Sequence, residues 1–171
     1  MYNMAVIYTK LVEKVRIMAI TQKCQYALRA IYELARRQQK GPCKIGTVAE
    51  AQDIPVRFLE NILNSLKGAG IVDSMRGKDG GYFLAKPADA ITVGEVIRFI
   101  QGPLAPVECG SNLEEDDCSL YEDCVFRPLW DRARRALETV YDGTTFQDLV
   151  DQSEHSCHRP GCRCSSRRIK I

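Results

Sequence analysis

Three cysteines, Cys109, Cys118 and Cys124, stand in the stretch CGSNLEEDDCSLYEDC at the spacing C-x8-C-x5-C. An odd set of thiols cannot all pair within one chain, so a pure disulfide framework fails on arithmetic. Glu108, Glu114, Glu115, Asp116, Asp117, Glu122 and Asp123 crowd the same region. Like charge raises a thiol pKa, whereas reactive low-pKa thiols sit in electropositive surroundings. A bound cationic centre reverses this logic, because coordination deprotonates the thiol and offsets the carboxylates. Zinc accepts three thiolates and a fourth donor. Iron–sulfur clusters usually take four protein ligands, mostly thiolates, with histidine an occasional substitute. The spacing alone does not choose between them, and a metal-free loop is the third possibility.

The rest of the chain decides what such a centre would serve. No apolar run reaches the roughly 20 residues that a membrane span needs. Lys10, Glu13, Lys14 and Arg16 interrupt any signal-peptide core. The expectation is a cytoplasmic protein without a membrane partner, where clustered cysteines more often hold metals or sense redox state than form disulfides. Charge is uneven: residues 1–103 hold fifteen Lys/Arg against nine Asp/Glu, and residues 104–126 hold seven acids and no Lys/Arg. A basic front half is weak evidence for a polyanionic partner.

The elements that would position the cysteines read mainly as helix. Thr21 is the N-cap of a first helix with Tyr26, Ala27, Ala30, Ile31, Leu34 and Ala35 on one face. A short helix starts near Thr47 and stops at Ile54-Pro55. A third starts near Val56, burying Phe58, Leu59, Ile62, Leu63 and Leu66, with Gly68 and Gly70 as C-caps. A hairpin follows, with strands at 71–75 and 82–85 around a glycine loop. Cys43 falls in a loop. Thr92 and Glu95 form a capping box for the next helix. Beyond the cysteines, residues 126–141 place Phe126, Leu129, Trp130, Ala133, Leu137, Val140 and Tyr141 near heptad spacing, long enough to pair with a second copy. A last short helix, TFQDLVDQ, precedes a polar tail. The divisions are an extension (1–17), a DNA-binding unit (18–103), the cysteine loop (104–125), the long helix with the last helix (126–152) and a disordered basic Cys/His tail (153–171).

Helix, short helix, turn, helix, hairpin is the order of a winged helix-turn-helix. In that motif the second helix enters the major groove. Arg57, Glu60, Asn61 and Asn64 recur at i, i+3, i+4, i+7, opposite the apolar face. Arginine suits guanine, asparagine suits adenine, and glutamate accepts from cytosine. Lys67 is placed for a phosphate. On the wing, Arg76 and Lys78, with Ser74 at their base, stand among glycines that let the backbone approach a surface. A solvated helix face and an ordinary hairpin turn are the bland alternatives.

The segments ITQKCQYALRAIYELA, IPVRFLENILNSLKGAGIV, RGKDGGYFLAKP and ITVGEVIRFIQGP, in that order, resemble the Rrf-two family of winged-helix transcription regulators over about residues 18–152. The resemblance implies a homodimer on a pseudo-palindromic double-stranded DNA operator. Its iron–sulfur members carry three cysteines between wing and dimer helix, where Cys109, Cys118 and Cys124 stand here. It therefore favours an iron–sulfur cluster, 2Fe–2S or 4Fe–4S, over zinc. The fourth ligand departs from the pattern. Where some members place a histidine this chain has Arg127, and where others place a first-helix acid it has Gln25. Cys24, Glu122 and Asp123 are the alternatives, and an open fourth position would suit a sensor.

The tail brings His155, Cys157, His158, Cys162 and Cys164 within ten residues. It could bind metal, but Pro160, Gly161 and its serines suit a disordered tail better. The resulting expectation is a repressor whose DNA affinity follows a cluster that senses redox state, nitric oxide or iron. The competing readings are a metal-free regulator responding to a metabolite or thiol oxidation, and a small iron–sulfur electron carrier. An enzyme is not expected: no Ser/His/Asp set is present, and both histidines lie in the tail.

Overall fold

The computed structural model describes residues 20–107 and 123–156. Helix α1 (Gln22–Arg36) begins where Thr21 accepts a hydrogen bond from the Cys24 amide through its hydroxyl, as its N-cap position requires. Ala27, Ala30, Ile31 and Leu34 form the buried stripe, and Cys24, one turn earlier, is completely buried with them. Tyr26 lies at the edge of that stripe, half-buried.

Helix α2 spans Ile45–Gln52, two residues earlier than Thr47, so Val48 and Ala49 both reach the core. It stops at Asp53, whose left-handed φ of 50° turns the chain into Ile54-Pro55. Helix α3 (Val56–Gly68) buries Leu59, Ile62, Leu63 and Leu66, but Phe58 is 63% exposed, contrary to the periodicity reading. It sits one residue before Leu59, 100° off the buried stripe, and among the described residues that flank stays largely uncovered. Gly68 is helical and does not cap. Gly70 does: at φ 68° its amide donates to Lys67, while the Ile71 amide reaches Leu66, closing a Schellman motif.

Strands β1 (Val72–Met75) and β2 (Gly81–Leu84) pair antiparallel, with Ser74 opposite Tyr82. Cys43 extends this sheet. It exchanges two 2.8 Å backbone hydrogen bonds with Tyr82, so it is a bridge residue and not a loop residue. The approach is close enough that a Cβ on Gly81 would lie 2.4 Å from the Cys43 carbonyl oxygen. Glycine is the residue that fits there.

Helix α4 (Val93–Gln101) is capped by Thr92, whose hydroxyl accepts from the Glu95 amide at 3.1 Å. The other half of the capping box is missing, because Lys86 donates to the Glu95 carboxylate at 3.1 Å. Helix α5 (Arg127–Asp142) and helix α6 (Phe146–Ser156) follow. Helix α6 folds back on α1 and puts Phe146, fully buried, and Val150 into the same core as Ile31 and Leu59. Two backbone bonds, Val93 N–H to Thr144 and Phe146 N–H to Ile91, tie the starts of α4 and α6. Truncating Phe146 to alanine is expected to cost about 3–5 kcal/mol, read as a lower urea midpoint with little change in slope.

Candidate DNA interface and cysteine centre

Burial of Leu59, Ile62, Leu63 and Leu66 fixes the rotation of α3, and Arg57, Glu60, Asn61 and Asn64 are consequently all exposed. Arg76 and Lys78 are exposed at the hairpin tip, where Gly77 takes a φ of 117°. Among the described residues no ion pair engages Arg57, Arg76 or Lys78. Lys67 is different. Its Nζ lies 3.0 Å from Asp73 and donates to Ser74 Oγ at 2.7 Å, joining α3 to the root of the wing. The Lys67 hydrogen bond, with help from the Ser74 amide, lowers the Asp73 pKa. Lys67 and Asp73 thus tie α3 to the root of the wing. An alanine at Arg76 is expected to weaken binding to all duplexes alike and to reduce the salt slope by about one, measured by gel shifts over a salt series.

One anchor of the helix-turn-helix was not foreseen. Glu33 is fully buried, paired with Arg36 and Arg37 and accepting from Gln52 Nε2 at 2.9 Å. It links α1 to the end of α2 and so sets where α3 emerges. Its hydrogen bond raises the Arg37 pKa. No local pattern signals this, since Glu33 is acidic and its α2 partner lies nineteen residues away.

Of the proposed metal ligands, Cys109 and Cys118 lie outside the described residues, as do Glu122 and the tail from residue 157. Cys124 is half-buried and free, in the turn that leads into α5, where its carbonyl accepts from the Arg127 amide at 3.1 Å. Cys24, the alternative fourth ligand, is fully buried, and burial pushes its thiol up to about 11. Cys43 is buried as well, and desolvation raises its thiol pKa against the opposing pull of Arg37. Gln25 is exposed, its amide donating to the Ile20 carbonyl at 2.9 Å. Among the described residues no three His, Cys, Asp or Glu side chains converge on a point. Among the described cysteines Cys124 is the one with a solvent-facing surface, which a thiolate ligand to a centre in the loop would need. In cluster-free protein, iodoacetamide is expected to label Cys124 and to leave Cys24 and Cys43 unlabelled until unfolding, as peptide mass spectrometry would show.

Helix α5 has no buried residue. Phe126 is 57% exposed and Val140 62%, and Phe126 packs on Trp130 with ring centroids 6.2 Å apart. Sixteen residues make a rod about 24 Å long. At its far end Asp142 pairs with Arg98 of α4, across a crossing that Gly94 keeps open. No described helix is long and apolar enough to cross a membrane.

Comparison with known proteins places this architecture. A family model described as Rrf2, iron-dependent transcriptional regulator, matches residues 20–152. The HTH-type transcriptional regulator CymR of Bacillus subtilis is 37% identical over 137 residues, covering 80% of this chain and 93% of that protein. Its solved structure, described as that of the global cysteine regulator, superposes with a TM-score of 0.66 at 36% identity, over 78% of this chain and 97% of that one. The regulator IscR of Erwinia tasmaniensis is 31% identical, over 80% of this chain and 81% of that protein. The structure of T. potens IscR gives a TM-score of 0.66 at 29% identity, over 84% of this chain and 93% of that one. These relatives are DNA-binding regulators and not enzymes, and with the helix-turn-helix and wing in place this chain belongs to the Rrf2 family of winged-helix transcriptional regulators.

Proposed function

We propose that this regulator is a homodimeric repressor that grips two half-sites of a pseudo-palindromic operator, its grip set by an iron–sulfur cluster held by Cys109, Cys118 and Cys124. The observation that carries the DNA half of this reading is the shared exposure of Arg57, Glu60, Asn61 and Asn64 on α3, beside Arg76 and Lys78 on the wing. Arg57, Glu60, Asn61 and Asn64 read base edges. Lys67 and Ser74 brace the wing, and Arg76 and Lys78 meet phosphates or the minor groove. Dimerisation rests on α5, of whose heptad-spaced Phe126, Trp130, Ala133, Leu137 and Val140 none is buried among the described residues.

Cys124 sits at the start of the dimer helix. A bound cluster supplies a centre that oxidants and nitric oxide can attack. The loop it would cross-link joins α4, fixed in the core, to α5, fixed in the dimer. Occupancy therefore bears on how two recognition helices are spaced. Half-sites lie about one helical turn apart, and each good bidentate base contact is worth about 1–3 kcal/mol, so a small change in spacing is enough for a switch. The test of the DNA half is a gel shift with duplexes selected by the full chain. Log affinity should fall linearly with log salt; a chain that selects no duplex would exclude the regulator reading.

A second reading has its own support. The 37% identity to CymR, whose structure is described as that of a global cysteine regulator, favours a metal-free protein responding to a thiol metabolite or to thiol oxidation. In that case Cys124, half-buried and unpaired, is the oxidisable group among the described residues.

A further inference from the structure

The first turn of α3 carries an aromatic ring that stays outside the core of the described residues. Phe58 is 63% exposed while its neighbour Leu59 is fully buried. A single exposed apolar side chain is ordinary on a protein surface; its position is what matters here. On the helix, Arg57, Asn61 and Asn64 point outward, opposite Leu59, Ile62, Leu63 and Leu66. Lys67 marks the flank that faces the wing, because it is bound to Asp73 and Ser74 of β1. At 100° per residue, Glu60 shares that flank and Phe58 lies on the other. Val56, 49% exposed, falls on the Glu60 side. The first turn thus presents apolar surface on both sides of Arg57.

In a helix-turn-helix these first-turn residues meet the major groove. The apolar feature on the floor of that groove is the thymine C5-methyl, which phenylalanine contacts well. We propose that Phe58 is a specificity-determining residue that reads a thymine methyl in each half-site, beside the polar edges read by Arg57 and Asn61. The proposal rests on the regulator reading above. It explains why a large aromatic ring stays in water in the free protein: its partner is a base, brought only by DNA. Burying one methyl group corresponds to about fourfold in affinity.

The test uses the full-length protein and an operator selected from random duplexes. Each thymine is replaced in turn by deoxyuridine, which removes the methyl alone. The expected result is at least one thymine per half-site whose demethylation weakens the wild type about fourfold and leaves Phe58→Ala unaffected. Because the ring is exposed, the variant should melt with the wild type, and Phe58→Leu should recover part of the sensitivity. Three results would overturn the proposal while leaving DNA binding intact. Phe58→Ala could bind like the wild type. It could weaken every duplex equally with an unchanged deoxyuridine profile, marking a sugar–phosphate contact. It could lose the dimer in sedimentation, marking an interface between copies. Failure of the wild type to select any duplex would remove this proposal together with the regulator reading.

Discussion

Alanine at Cys124 is expected to leave anaerobically purified protein colourless and iron-free, while its melting temperature stays near that of the cluster-free wild type. The thiol is half-buried at a turn, outside the hydrophobic core, so its loss removes little packing. What it removes, on the proposed cluster reading, is a ligand. With the fourth position already without an evident strong donor, two remaining thiolates do not hold a cluster that ordinarily takes four. Cys118→Ala is expected to behave alike. Cys24→Ala is the control: its thiol lies in the core, so it should keep the colour and lose some stability. Iron and sulfide analysis beside the visible spectrum checks all three, and a fully coloured Cys124→Ala protein would take Cys124 out of the ligand set.

The second large effect is on assembly. Leu129 and Val140 are 47% and 62% exposed on a helix that buries nothing. Glutamate at both positions leaves the winged-helix core untouched and places charge on the apolar face of α5. The double variant is expected to sediment as a monomer. Operator affinity should then fall by about 10²–10⁴, because the second half-site is no longer presented at high effective concentration. Binding to a single half-site should be unchanged, which separates lost assembly from lost folding. A double variant that remains dimeric would move the interface elsewhere.

Different physical signals account for what could be read from the chain and what could not. The stripe Leu59, Ile62, Leu63, Leu66 and the cap at Thr21 are local patterns, and local geometry enforces them. The rotation of α3 follows from that stripe, which is why its exposed polar face was legible. Phe58 was misassigned because hydrophobicity alone places an aromatic ring next to Leu59 indoors, and only the tertiary arrangement shows that the described residues leave it mostly exposed. Glu33 and the Cys43–Tyr82 bridge were invisible for the opposite reason. Their partners, Gln52 and Tyr82, are distant in sequence, and neither contact leaves a periodic trace. The half capping box at Thr92 shows the same competition, with Lys86 drawing Glu95 away from the cap. The cysteines suggest a donor set by type and charge, a reading that rests on the sequence. Of the three, Cys124 is the one the structure describes, and it stands in the turn just before α5.

On the proposed reading, a cluster on the three cysteines sets the affinity for DNA. To check this, the full chain is purified without oxygen, assayed for iron and sulfide, and titrated with one selected operator before and after cluster removal. The expected result is coloured, iron- and sulfide-containing protein whose operator affinity changes at least tenfold on removal, with the dimer retained. Colourless, iron-poor protein that binds tightly and equally before and after oxidant treatment would contradict it.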